Sequence, residues 1–412
     1  MGLLRRQAVL SALLANAIRP IPGFRTGIPS FFAGWLTSEL SPQLLALSAA
    51  DAGTSIARGR ATRGALALTA LNAAGLSWLV SSSKKVREQV EKALEEGIGV
   101  DYVEQLDEKP SPADLATPWR SLAFPFRMKD PRVAIERDVV FTDAGSRGHL
   151  DIYRPADRDT EGAPVLLQIH GGGWTIGRKD QQGLPLMLHL ASKGWVCVAI
   201  NYRLAPRDAF PAQIVDVKKG IAWVKEHIRE YGGDPDYVVL TGGSAGGHLA
   251  ALAALTPGDA TYQPGFEDAD TSVQAAIPHY GVYDFAGSTG LRSAELMRDR
   301  FLAPRILQTR YDDDPDAFEA ASPLLRITPD APDFFVLHGV RDTLVSVQQA
   351  RLFVERLRQV GKASVVYAEL PGAQHAFDVF PSIRSAHVVR AIDRYLHWHW
   401  NRWRRERSGV EM

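Results

Sequence analysis

Apolar residues along the 412-residue chain fall into two regimes. From about Val139 onward, short apolar runs alternate with longer stretches whose apolar residues recur at helical spacing. The short runs predict strands near Asp138 to Phe141, Leu150 to Arg154, Val165 to Ile169, Val196 to Asn201, Val238 to Thr241, Ala275 to His279, Phe334 to Leu337 and Ser364 to Glu369. Helices are expected at Leu184 to Lys193, Gln213 to Tyr231, Gly246 to Leu255, Val345 to Val360 and Ser382 to Trp403. Strands and helices in this alternation predict an α/β fold: an open, mostly parallel eight-stranded sheet covered by helices on both faces.

The N-terminal region reads differently. Residues 1–85 carry three hydrophobic blocks and only two acidic residues, Glu39 and Asp51. Ala8 to Ile18 follows Arg5-Arg6 and ends near Ala15-Asn16-Ala17, a superficial match to a signal peptide, but Arg19 and another apolar block come next. Ile28 to Ala50 is interrupted by Glu39 and Pro42. Gly64 to Ser83 is twenty uncharged residues between Arg60/Arg63 and Lys84/Lys85, long enough to cross a bilayer, with Trp78 at an interfacial depth. The region is therefore expected to be helical and to anchor the protein to a membrane through a transmembrane helix near 64–83. Basic residues on both flanks leave its orientation open. Against this stands packing on a soluble domain, favoured by Asn72, Gly75 and several serines.

An amphipathic helix, Lys84 to Glu96, opens the next segment, and Pro110, Pro112, Pro118, Pro125 and Pro131 mark a connector. The expected organisation is a helical N-terminal region over 1–85, a connector and candidate cap over 86–136, a catalytic domain over 137–403 and a basic tail over 404–412.

Charge adds little, since 47 basic residues balance 47 acidic ones and give no reason to expect a nucleic-acid partner. At the C-terminus, Trp398, Trp400 and Trp403 interleave with arginines, which suits either a lipid surface or packing on the sheet. The single cysteine, Cys197, lies in an apolar run and reads as a buried strand residue.

The chemistry lies at the predicted carboxyl ends of strands, where open α/β sheets bind ligands. After Ile169 come His170-Gly171-Gly172-Gly173-Trp174, consecutive glycines whose bare N–H groups can converge on an oxyanion. Val238 to Thr241 leads into Gly242-Gly243-Ser244-Ala245-Gly246-Gly247 and then an alanine-rich helix. This is a strand, a sharp turn and a helix, with a serine at the turn. Asp342 and His375 occupy loops just past two later strands. The order Ser244, Asp342, His375 is that of a nucleophile, a carboxylate and a base.

Together these motifs resemble the hormone-sensitive-lipase group of esterases in the α/β-hydrolase superfamily, as do Tyr202-Arg203-Leu204-Ala205-Pro206 and Ala321-Ser322-Pro323-Leu324. The resemblance covers roughly 137–397 and implies an α/β-hydrolase fold. It also implies that Gly172, Gly173 and Ala245 donate the oxyanion-hole N–H groups. Two departures, Gly243 before the serine and Trp174 after the glycines, are also similar to prenylcysteine methylesterases and kynurenine-formamidase-like enzymes.

The expected activity is carboxylic ester hydrolysis, as an esterase or lipase, on small-molecule or lipid-like esters through an acyl-enzyme. An amidase or formamidase could use the same triad, and a non-catalytic binding protein is the third reading. The chemistry requires no metal or organic cofactor. Asp378 is the rival to Asp342, His170, His248, Asp216 and Asp284 read as structural, and Phe285 to Ser322 is a candidate lid or pocket wall.

Overall fold

The computed structural model describes residues 2–408. Its centre is one eight-stranded sheet made of β1 (Val133–Val140), β2 (His149–Pro155), β3 (Ala163–Ile169), β4 (Val196–Ile200), β5 (Gly233–Gly243), β6 (Ala275–His279), β7 (Asp333–Gly339) and β8 (Val365–Leu370). The strand order is β1-β2-β4-β3-β5-β6-β7-β8. The pairs β1/β2 and β2/β4 are antiparallel, and every later pair is parallel. Every residue of β3 and β4 is buried, as their unbroken apolar runs require of strands covered on both faces.

Two strands begin earlier than their apolar runs. β1 starts at Val133 and carries polar residues because it is the sheet edge and is largely exposed, with a register shift between Glu136 and Val139. β5 starts at Gly233, which pairs with Ala163 of β3 before a register shift, and the pairing resumes at Val238 with Val165.

The N-terminal blocks form four helices, α1 (Leu3–Ile18), α2 (Gly27–Glu39), α3 (Ser41–Ala57) and α4 (Arg63–Lys84). Leu14 and Ala17 of α1 pack on Leu76 and Leu79 of α4. Beside them runs a buried polar seam in which Gln7 donates to Ser48 at 3.0 Å and Asn72 donates to Gln7 at 2.9 Å. The bundle docks on the sheet domain through Arg341, which donates to the Ala17 carbonyl at 2.9 Å, and Thr343, which donates to the Gly27 carbonyl at 3.0 Å. A fully buried ion pair joins Glu39 of α2 to Arg384. Next, α5 (Val86–Ile98) lies on β8, where Gly97 is pressed against Val366.

The last helix, Ile383–Ser408, packs along one face of the sheet. Trp400 and Trp403 stack on each other and meet Tyr237 edge to face, with Arg404 over Trp400 and Arg407 over Trp403. Residues 404–408 are its final turns, and the rest of the expected basic tail, 409–412, lies outside the described residues.

Candidate active site

Ser244 sits where β5 turns into the helix Ala245–Leu255, at φ 58° and ψ −120°, a strained conformation for a residue with a side chain. The turn is possible because its neighbours are bare. A Cβ on Gly246 would lie 2.1 Å from the Ile169 carbonyl, and one on Gly242 would lie 2.6 Å from the same oxygen. The N–H of Ser244 donates to the His279 carbonyl at 2.9 Å, which fixes the turn to β6. Ala245 follows as the first helical residue, where the N–H has no intrahelical partner.

The glycine loop after β3 packs against this turn, with Gly171 beside the Cβ of Ser244. Gly171 is anchored by its N–H, which donates to Gln182 at 2.7 Å, while Gly172 and Gly173 adopt φ 118° and 58°. Trp174, also at positive φ, is buried and donates its indole N–H to His248 Nδ1 at 3.2 Å. His248 in turn donates from Nε2 to the Ala321 carbonyl at 2.8 Å, so it is a structural residue that ties the glycine loop to the loop before Ser322. Burial pushes its pKa down to about 3 and that of His170, stacked on Tyr202, to about 4. Phe301, on the helical excursion after β6, closes over Gly173, so this part of the 285–322 segment forms a wall beside the glycine loop.

On the other side, His375 Nδ1 donates to Asp342 Oδ2 at 2.6 Å. That bond leaves Nε2 as the ring's basic nitrogen. The other Asp342 oxygen accepts from the N–H groups of Leu344 and Val345, each at 2.8 Å. Burial alone would raise the Asp342 carboxyl. The charge of His375 and hydrogen bonds from His338 and His375 outweigh it and hold the group below the usual carboxylate range. Asp378 is placed elsewhere, accepting from His279 Nδ1 and the Tyr280 hydroxyl. Ser244 Oγ has no hydrogen-bond partner among the described residues. Tyr280 touches both sides of the site: its hydroxyl abuts Gly243, and its ring is 4.5 Å from the His375 imidazole, centroid to centroid.

Several of these neighbours carry no sequence signal of their own. His338 reaches Asp342 Oδ2 with Nε2 at 3.3 Å, and Gln374 accepts from the N–H groups of Thr343 and His375 at 2.7 and 3.0 Å. The i, i+4 spacing of His338 and Asp342 across a strand end is the only trace of that contact. Asp216 is paired with Arg203, and Asp284 accepts from Ser288 and Thr289, both structural uses. Buried Cys197 donates to the Met187 carbonyl, and burial raises its thiol well above the ordinary range. The described residues contain no cluster suited to a metal ion.

A parallel sheet with antiparallel edge strands, a strained serine at the end of β5 and an imidazole–carboxylate pair at the ends of β8 and β7 define the class: an α/β-hydrolase esterase. The chain belongs to the BD-FAE family, whose model matches residues 150–357. It is 45% identical to the probable carboxylic ester hydrolase LipM of Mycobacterium tuberculosis, over 96% of this chain and 92% of that one. It is 31% identical to a probable isoprenylcysteine alpha-carbonyl methylesterase of Oryza sativa subsp. japonica, over 55% and 53% of the two chains. Among solved structures, the butyrate-bound esterase of the Planctomycetes species Thermogutta terrifontis superposes with a TM-score of 0.53. The two are 27% identical over 66% of this chain and 94% of that one. The protein is a carboxylic ester hydrolase.

Proposed function

We propose that Ser244, His375 and Asp342 are the catalytic residues and that the substrates are acyl esters with an apolar portion. The observation that carries this reading is the 2.6 Å bond from His375 Nδ1 to Asp342, which leaves Nε2 basic, in a molecule where a serine at positive φ ends β5. In this mechanism His375 Nε2 takes the Ser244 proton as Oγ attacks the ester carbonyl. The alcohol leaves with that proton, and water, deprotonated by the same nitrogen, releases the acid from the acyl-enzyme. Asp342 holds the ring in the correct tautomer. The N–H groups of Gly172, Gly173 and Ala245 meet the developing oxyanion, a contribution of about 3–4 kcal/mol where one such donor has been removed from another enzyme. No step calls on a metal or cofactor. Hydrolysis of p-nitrophenyl esters by wild type and Ser244→Ala tests the assignment, as does labelling by a fluorophosphonate. Equal rates in the two proteins would sink it.

The finer reading concerns the N-terminal bundle. We infer that it rests on an anionic lipid surface. On α2, Ile28, Phe32 and Leu36 recur every four residues and are all exposed, as are Leu47 on α3 and Leu71 and Trp78 on α4. Only 22% of the apolar window on α4 is buried. Residues 1–85 carry nine basic side chains, and their two acidic ones are paired, Glu39 with Arg384 and Asp51 with Arg6. Exposed apolar residues on a region with such an excess of basic side chains are what an anionic interface attracts. With Leu76 and Leu79 packed inside the bundle, the reading favours α4 lying on the surface over crossing it. Co-sedimentation of the full chain with phosphatidylglycerol-containing vesicles should exceed that with pure phosphatidylcholine and fall with salt. Equal or no binding to both overturns it.

A further inference from the structure

The residue before the nucleophile is Gly243, and the space a side chain would fill there is taken. A Cβ on Gly243 would lie 2.5 Å from the Tyr280 hydroxyl and 2.8 Å from two of its ring carbons. The ring is 2% exposed and follows directly on β6, whose last residue, His279, accepts the Ser244 N–H through its carbonyl. Tyr280 has φ 38°, a costly conformation for an aromatic residue, and its own N–H is held by the Leu337 carbonyl at 2.7 Å. The ring also meets His375, with centroids 4.5 Å apart and planes at 55°, and Phe377, at 5.1 Å and 83°.

The hydroxyl donates to Asp378, three residues beyond His375, and the second Asp378 oxygen accepts from His279 Nδ1. Both carboxylate oxygens are thus committed to β6 and its extension, and Asp378 is held below the usual carboxylate range. Burial pushes it up, and His279 and Tyr280 outweigh that. A cavity of only about 10 Å³ remains beside this network, lined by Gly243, His279, Tyr280 and Asp378, so the ring has little room to shift.

Resting on the triad reading above, we propose that Tyr280 is a positioning residue for His375: its ring supports the imidazole and favours its protonated form, and Asp378 and His279 hold the ring in place. The π face of an aromatic ring attracts a cation, and His375 becomes one each time it accepts the serine proton. The groups facing the imidazole are Asp342, with His338 behind it, Tyr280, with Asp378 behind it, and the uncharged Phe31 of α2. Beyond Asp378 lies the Glu39–Arg384 pair.

The test is the kcat and KM of Tyr280→Leu, Tyr280→Phe and Asp378→Asn with p-nitrophenyl butyrate across pH, alongside Ser244→Ala and the Tm of each variant. Tyr280→Leu should lose about tenfold or more in kcat with KM within about twofold. Losing the ring's attraction for the imidazolium should move its acid limb of kcat/KM down by about half a pH unit or more. Tyr280→Phe, which keeps the ring, should retain the wild-type limb and lose less kcat. Asp378→Asn should lose kcat with KM unchanged, and it decides the matter if Tyr280→Leu does not fold. Wild-type kcat in Asp378→Asn, or Leu and Phe variants that behave alike, overturns the proposal. If Ser244→Ala retains turnover, the triad reading itself fails. If Ser244→Ala is inactive while Tyr280→Leu is fully active, only the Tyr280 proposal fails.

Discussion

Phe31 and the imidazole of His375 meet edge to face, with ring centroids 5.8 Å apart and planes at 86°. Phe31 belongs to α2, in the stretch whose sequence reads as part of a membrane anchor, so that helix borders the site. Its inner face continues with Gly34, which lies beside Gln374, and Gly27, where a Cβ would be 2.6 Å from the Thr343 carbonyl. Its outer face exposes Ile28, Phe32 and Leu36. One helix therefore shows apolar residues both to the His375 imidazole and to solvent. This two-sided demand explains why α2 is hydrophobic nearly all round.

The Glu39–Arg384 pair ties α2 to the catalytic domain, and its two partners should not respond alike. Burial pushes the Glu39 carboxyl up, against the opposing pull of Arg384, Ser382 and Ser38. A lone Glu39 can therefore become neutral and keep its bonds to the two serines. A guanidinium has no such escape. Glu39→Ala is expected to cost about 3–5 kcal/mol by leaving a buried charge unpaired, and Arg384→Met distinctly less. Urea unfolding of both variants checks the order. Equal losses would contradict it.

Gly243 and Gly53 make a matched pair of alanine substitutions with opposite outcomes. At Gly243 the new methyl meets the Tyr280 ring, so kcat/KM should fall by roughly a hundredfold or more, on the scale expected when reacting groups shift by about 1 Å. At Gly53, inside α3, a Cβ would meet nothing within 4 Å, and alanine should stabilise the protein by about 0.5–1 kcal/mol with activity unchanged. Parallel kinetic and thermal measurements separate the two.

Much of the fold and of the proposed triad is legible in the sequence because their signals are local. All eight strands carry apolar runs, and Ser244, Asp342 and His375 each lie beside a strand end. What escapes depends on contacts between distant segments. Tyr280 sits 36 residues beyond Ser244 and 95 before His375, and nothing in its neighbourhood marks it. Phe31 lies in a stretch whose composition suits lipid as well as protein. The polar seam of Gln7, Ser48 and Asn72 distinguishes a packed bundle from independent spans, and its hydrogen bonds at Gln7 reach 41 and 65 residues along the chain. The edge strand β1 reads as starting late because exposure removes the apolar pattern from its first half.

Asp342→Asn should leave the position of His375 nearly intact but reverse its proton. The asparagine amide nitrogen can donate to Nδ1, which places the hydrogen on Nε2 and removes the base. A fall in kcat of about 10⁴ is expected, the size seen when a triad aspartate elsewhere is made asparagine. His338, which also donates toward Asp342, would then face an unsuitable partner, so a modest drop in Tm should accompany it. A variant with near wild-type kcat would show that the carboxylate does not set the tautomer.

Stability should fall with acid before the carboxylates titrate. Burial holds His170, His248 and His387 neutral, with pKa values lowered to about 4, 3 and 4, against about 6.5 when unfolded. Below that unfolded value the unfolded chain takes up protons that the folded one refuses. Each histidine then costs up to about 1.4 kcal/mol per pH unit until its folded value is reached. Asp342, Asp378, Asp333 and Asp393 are all held below the carboxylate range despite burial. Their contribution is complete above about pH 4 and is lost only as the pH falls toward their folded values. Denaturant unfolding should therefore show constant stability from these groups above pH 7 and a steady decline between about pH 6.5 and 4.5. The slope in that window should shrink in His387→Gln, which removes one histidine whose Nε2 lies 3.5 Å from Thr117 Oγ1. A flat profile between about pH 7 and 5 would mean that these three histidines do not oppose folding in acid.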